Sequence, residues 1–265
     1  MTNVGRFYAQ FGEDQALDAL FGVKTVIGAD FDAKALGLHG SNTLFFEKLG
    51  WDCILIEPNP ELCTAMRCFR TAQLFEVAAS DSDGKAVLQV ATGAAGAHAV
   101  STMDAGAGMR TLRAHGFDHK PVEVVTRRLD MIFDEVVGSR RIDFMTIDVE
   151  GHEMAALSGL SLDRWRPRVL IIESNSTAAG VAVADHLRGA GYVRFRRTGV
   201  NDWYAHLSDP QLATTWRRGL YFPSRFVANS KMTATATKLW IRGLPGVLPV
   251  WNLGKRLFDR SETSA

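Results

Sequence analysis

The sequence predicts a mostly parallel, doubly wound α/β sheet, and three observations point to it. Short apolar runs rich in β-branched residues alternate with helix-forming stretches through most of the chain. Two of those runs, 52–57 and 168–173, close on acids, and 142–147 runs directly into Asp148, which puts carboxylates at strand ends where a ligand crevice would lie. Two last extended runs, 192–197 and 202–206, flank Thr198-Gly-Val-Asn201 and suit an antiparallel hairpin that finishes the sheet.

Residues 7–21 have the spacing of a helix, with Glu13 and Asp14 in its first turn near the positive end of the dipole. Residues 23–29 form a first strand that opens into a long loop, 30–40. Ser41-Asn42-Thr43 then caps a helix that Gly50 ends. Residues 52–57 form a second strand, stopped by Pro58 and Pro60, and Pro60 suits the first turn of a helix over 61–70. A strand over 73–79, a turn closing on Gly84 and a strand over 85–90 follow. Residues 91–120 are rich in Gly, Ala and His and show no period. They read either as a lid or as a surface loop, with His98, His115 and His119 facing solvent. Residues 122–125 are extended and 129–137 helical. The apolar run 142–147, with a helix behind it, organises the chain, and 168–173 and 178–189 add a strand and a helix.

Composition narrows the function. The chain has 265 residues, 46% of them hydrophobic and 22% charged, enough for a full core in a globular protein. A net charge of +1 argues against a general nucleic-acid binder. Cys53, Cys63 and Cys68 lack zinc spacing and read as reduced core thiols of a cytoplasmic protein. The first residues lack the apolar segment of a signal peptide, and no run reaches the length of a membrane span. Residues 1–206 read as the folded domain and 207–265 as an extension. In that extension Trp240 and Trp251 are interleaved with Lys and Arg, a pattern suited to a membrane surface on the cytoplasmic face or a lipid-bearing substrate. The alternative is that it packs its tryptophans on the domain's own surface.

The chemistry gathers at strand ends. Asp148, Glu150 and Glu153 follow 142–147, and because like charges raise one another's pKa, a chain with no use for three acids there would rarely hold them together. Glu57, at the tip of the second strand, is placed to accept hydrogen bonds from both hydroxyls of a ribose, with Pro58-Asn59-Pro60 fixing the geometry there. Gly28-Ala29-Asp30 is not a pyrophosphate-binding glycine fingerprint, so a nucleoside cofactor without a pyrophosphate fits better. Ser41, Asn42 and Thr43 open a helix whose N–H groups favour a carboxylate, or they serve only as its cap. His152 is the titrating candidate for a base, with Asp148 and Glu150 as alternatives. Asp148, Glu173 and Asn175 could hold Mg²⁺ through oxygen ligands, although a metal is not expected.

Gln10-Phe-Gly-Glu-Asp14, Ser41-Asn-Thr43, Gly50-Trp51, Ile56-Glu-Pro-Asn-Pro60, Arg128-Leu-Asp130, Ile142-Asp-Phe144, Ile147-Asp-Val-Glu-Gly-His-Glu153 and the stretch 167–173 occur in this order. Together they resemble the FkbM-type family of S-adenosylmethionine-dependent methyltransferases over about residues 7–206. The resemblance implies a Rossmann-like class I methyltransferase fold with a seven-stranded sheet, S-adenosylmethionine as cofactor, and O-methylation of a sugar or polyketide hydroxyl. A glycolipid acceptor is what the basic tail adds. The resemblance places Gly28 in the cofactor loop, Glu57 on the ribose, Ser80 and Asp81 near the adenine, and Asp148 beside the methionine portion and the acceptor. One position departs: the acid expected two residues before Gly28 is Val26, with Asp30 or Asp32 as substitutes. Two other readings stand beside this one. A nicotinamide-dependent oxidoreductase would need the missing glycine fingerprint, and a degenerate domain that binds a glycan or partner would account for Val26.

Overall fold

The computed structural model describes residues 7–21, 27–30, 41–93, 100–174 and 177–215. The fold is mixed α/β. Among the described residues its strands divide between a sheet of seven and a separate sheet of three, rather than all joining the single doubly wound sheet expected. Strands β1 (Ile27–Asp30), β2 (Cys53–Ile56), β3 (Gln73–Phe75), β7 (Ile142–Ile147) and β8 (Val169–Glu173) run parallel in the larger sheet. Strands β9 (Tyr192–Thr198) and β10 (Asn201–His206) close it as an antiparallel pair. The order is β3-β2-β1-β7-β8-β10-β9. The smaller sheet holds β4 (Ala78–Ala79), β6 (Asp118–Arg127) and β5 (Gly84–Thr92), in that order.

Both faces of β7 and β8, in the middle of the larger sheet, are buried, and the period of two along these strands sorts the side chains. On β7, Met145 and Ile147 join a cluster with Leu129, Ile132, Phe133, Ala156 and Leu187. These come from α5 (Leu129–Val136), α6 (Glu153–Ser158) and, after the short α7 (Leu162–Trp165), α8 (Thr177–Gly189). Phe144 points to the other layer, among Leu17 of α1 (Glu13–Phe21), Phe45 and Phe46 of α2 (Leu44–Lys48), and Trp51. Its ring centroid lies 5.0 Å from that of Phe46 and 5.9 Å from that of Trp51. On β8, Leu170 and Ile172 face the first layer, and Val169 and Ile171 the second.

The stretch 73–79, expected as one strand, is two. β3 pairs with β2 in the larger sheet, and two residues later β4 pairs with β6 in the smaller one. A sheet switch of this kind needs a bend, which the apolar pattern does not signal. Residues 91–120 also differ from the expectation. β5 runs on to Thr92, α4 (Ala107–Ala114) follows, and β6 starts at Asp118, pairing with β5 from Gly84↔Thr126 to Thr92↔Asp118. The strands carry exposed Lys85, Val87, Glu123 and Val125 on their open face, so no clean alternation marks them. His115 and His119 are exposed, and His98 lies outside the described residues. Cys53, Cys63 and Cys68 are unbridged. The first two are buried as read, but Cys68 is exposed. Among the described residues no helix is long and apolar enough to cross a membrane. The tryptophan-bearing part of the extension, from 216 onwards, lies outside them.

The Gln10–Asp14 motif locks the start of the domain to its closing hairpin. Glu13 and Asp14 stand in the first turn of α1, as expected, and are buried there. Glu13 accepts from the Phe11 N–H (2.9 Å), the Thr198 hydroxyl (2.5 Å) and the Asn201 amide (3.1 Å). Asp14 accepts from the N–H groups of Tyr8 (2.5 Å) and Ala9 (3.0 Å). Gly199, at φ 49°, is required: a Cβ there would sit 2.3 Å from the Phe11 ring.

Arg70 performs the same service for α2. It reaches Glu47 (2.6 Å), the Thr43 hydroxyl (2.7 Å) and the Ser41 hydroxyl (3.3 Å), with both ionic side chains buried. Burial pushes the Glu47 carboxyl up, but the Thr71 N–H and Arg70 outweigh it and hold the pKa below the usual value. Removing one partner of a buried pair strands the other. Arg70→Met is therefore expected to destabilise the domain by about 3–5 kcal/mol in urea melts at pH 7. Because the Glu47 pKa is depressed, that difference is full above pH 4.5 and shrinks as pH falls through the folded-state value.

Candidate functional site

The chain reverses direction in the sheet between β1 and β7: β1, β2 and β3 build outward one way, β7 and β8 the other. In parallel sheets such a switch point opens a crevice at the carboxyl ends of the strands. Glu57 follows β2, Asp148 follows β7 and Glu173 ends β8, so all three acids lie along this edge. Backbone pairing puts Gly28, Ala29 and Asp30 on β1 between β2 and β7.

Asp148, Glu150 and Glu173 converge, with one carboxylate oxygen from each within 4.8 Å of the others. Such a set can hold a hard cation such as Mg²⁺ through oxygen ligands. It joins Asp148 and Glu173 of the candidate Mg²⁺ set with Glu150, which the sequence suggested as an alternative base. Asn175 lies outside the described residues. The turn behind this cluster is left-handed, with Glu150 at φ 51° and Gly151 at φ 101°. Glu153, grouped by sequence with the acids of the crevice, lies beneath the turn, 5% exposed, and accepts from the N–H groups of Gly151 (3.0 Å) and Val149 (3.4 Å). Burial raises its pKa, and Asp148 adds to the rise.

His152 precedes α6 and turns to the other side of the loop. Its Nε2 lies 3.2 Å from the Ser80 hydroxyl, which lies 3.3 Å from Asp81 Oδ1. Ser80, Asp81 and His152 therefore form one group, although the sequence had assigned them to different tasks. Burial lowers the His152 pKa against the opposing pull of Asp81 and Asp104, favouring the neutral imidazole.

Glu57 is buried, and its Oε1 accepts from the Asn59 N–H at 2.7 Å. Asn59 in turn caps α3 (Pro60–Arg67), its Oδ1 accepting from the Glu61 N–H at 3.0 Å. Behind Glu57, the Cys63 thiol donates to the Glu57 carbonyl (3.1 Å), and burial, with Glu57 adding, pushes its pKa up to about 12. Ser41 and Thr43 are held by Arg70, and the Ser41 hydroxyl also accepts from the Leu44 N–H, so their side chains serve the helix start. Asn42 is buried beside them. Val26 and Asp32 lie outside the described residues.

Two neighbours of the site were not foreseen, Thr102 and Asp104. The Thr102 hydroxyl donates to the Glu150 carbonyl (2.7 Å), and Asp104 accepts from the N–H groups of Gly106 (3.0 Å) and Gly108 (2.7 Å) at the start of α4. An Asp ahead of an amphipathic run is a helix-start signal that could have located the second of them.

The pattern of the family described as Methyltransferase FkbM domain matches residues 27–194. Among solved structures, the chain is similar to the methyltransferase FkbM from Methylobacillus flagellatus KT, at 13% identity and a TM-score of 0.47, over 75% of this chain and 48% of that one. The chain thus spans about half the length of that protein. No curated protein matches.

The burial of Glu153 and His152 generates opposite pH responses. With its pKa raised, Glu153 contributes stability that is lost as pH rises from 4.5 through the folded-state value. Glu153→Gln is expected to remove that loss while keeping an acceptor for Gly151 and Val149. Glu153→Ala leaves both N–H groups unpaired and is expected to cost about 1–3 kcal/mol in urea melts. His152, with its pKa lowered, makes the fold less stable as pH drops below 6.5, a decline that His152→Gln is expected to abolish.

Proposed function

Because the chain belongs to the FkbM methyltransferase family, we propose that it is an S-adenosylmethionine-dependent O-methyltransferase acting on a hydroxyl of a sugar, in a glycolipid or another glycosylated natural product. The observation that carries this reading is the row of acids along one sheet edge, Glu57 on one side of the switch point and Asp148, Glu150 and Glu173 on the other.

The residues suit this cofactor. Glu57 is a buried carboxylate at the strand position that meets a ribose, and its Oε1 accepts from the Asn59 N–H, which fixes the carboxylate at that strand end. S-adenosylmethionine, when bound, supplies a methyl group on a positively charged sulfur leaving group. The carboxylates at the β7 and β8 ends favour that charge and orient a polyol through its hydroxyls. The attacking hydroxyl must also lose its proton. His152, kept neutral by burial, is the base in this reading. The Ser80 hydroxyl donates to Asp81, its oxygen accepts the His152 Nε2–H, and Nδ1 is left as the basic atom. A glycolipid acceptor rests on the basic, tryptophan-bearing tail.

Calorimetry of the purified protein with S-adenosylmethionine tests the reading. Wild type is expected to bind, and Glu57→Ala to bind at least about tenfold more weakly, since hydrogen bonds to a charged group contribute ~1.5–3 kcal/mol. A folded wild type that does not bind would overturn the assignment. Incubation with methyl-labelled cofactor and a glycolipid extract then tests the acceptor: label is expected in a base-stable sugar ether, and label in an ester or on protein would refute O-methylation of sugar.

A further inference from the structure

Among the described residues, the segment between β5 and β6 meets the site loop through Thr102, Asp104 and Gly108. Thr102, 1% exposed, is fixed by a two-way backbone bridge to Gln89, its N–H donating at 3.1 Å and its carbonyl accepting at 2.9 Å. Its hydroxyl accepts from the Asp104 N–H (2.9 Å), which directs the hydroxyl proton to the Glu150 carbonyl (2.7 Å). The approach is as close as backbone allows. A Cβ on Gly108 would sit 2.1 Å from the Thr102 hydroxyl and 2.6 Å from the Glu150 carbonyl oxygen. One on Gly151 would sit 3.2 Å from the Asp104 carboxylate.

We propose that Thr102 is a positioning residue: through its bond to the Glu150 carbonyl it holds the left-handed turn that carries the Glu150 carboxylate to Asp148 and Glu173. Glu150 at φ 51° is disfavoured for a residue with a side chain, so the turn persists only where its surroundings dictate it. Glu153 satisfies the N–H groups of that turn from below, and Thr102 satisfies its carbonyl from the side. The bond reads the main chain, so Thr102 acts on the Glu150 carboxylate without touching it.

The inference rests on the S-adenosylmethionine reading, and the test separates the two. S-adenosylmethionine and S-adenosylhomocysteine differ by one methyl group and the charge on sulfur. The ratio of their affinities therefore reports the field of the carboxylates, whereas a loosened fold weakens both alike. Calorimetry on the full chain should show Thr102→Val lowering that ratio by roughly fivefold, the scale of one screened charge contact. Thr102→Ser should restore it. Glu150→Gln should lower it equally, and the double variant should go no further. Thr102→Ala removes the same donor and replaces the valine variant if that does not fold. Equal losses for both ligands, full additivity in the double variant, or no change in Glu150→Gln would overturn the assignment of Thr102 while leaving the cofactor reading standing. Wild type that binds neither ligand would remove the cofactor reading and this inference with it.

Discussion

Like charges brought together at the ends of parallel strands set the terms for this fold. Unit charges about 4 Å apart near a protein surface repel by about 4 kcal/mol, so the trio of Asp148, Glu150 and Glu173 must be held from outside. Each member is held through its backbone. β7 and β8 carry Asp148 and Glu173 in register, and Thr102 and Glu153 grip the turn that carries Glu150. Beyond Glu173, Asn201 pairs with it across β10 and donates to Glu13, so the Gln10–Asp14 motif buttresses the same corner from the far end of the chain.

The separate small sheet takes its place in the same scheme. β3 and β4 are two residues apart yet belong to different sheets, and that switch brings Ser80 to His152. β5 carries Gln89, which pins Thr102, and α4 approaches the site loop through Gly108. A segment that looks like decoration on the larger sheet therefore supplies contacts on two sides of the loop 148–153.

Much of the larger sheet was legible in the sequence, because buried parallel strands are continuous apolar runs and 142–147 and 168–173 are unmistakable as such. The acids at their ends were legible for the same reason, since position after such a run fixes position in the sheet. The small sheet was legible only in part: 85–90 and 122–125 read as extended, but neither the full length of the strands nor their pairing in a separate sheet was evident. β5 and β6 keep one open face with Val87 and Val125 exposed on it, which erases the alternation that marks a half-buried strand. Nor could spacing say which acids of 148–153 face the crevice. Glu153 is as acidic as Glu150 on paper, and only the positive φ angles at Glu150 and Gly151 turn one outward and the other under the loop.

That turn is also where local preference and fold disagree. Position 150 would be filled most cheaply by glycine, the residue that tolerates φ 51° and already stands at 151. The chain instead places there a side chain that is both conformationally disfavoured and close to two other carboxylates. Neither choice helps the fold, and the turn is supported through its backbone by Thr102 and Glu153. Local rules broken together at one residue, inside an otherwise consistent α/β frame, are what the proposed reading expects of a position kept for chemistry rather than for stability. In the methyltransferase reading that chemistry is the stabilisation of positive charge at the carboxyl ends of β7 and β8.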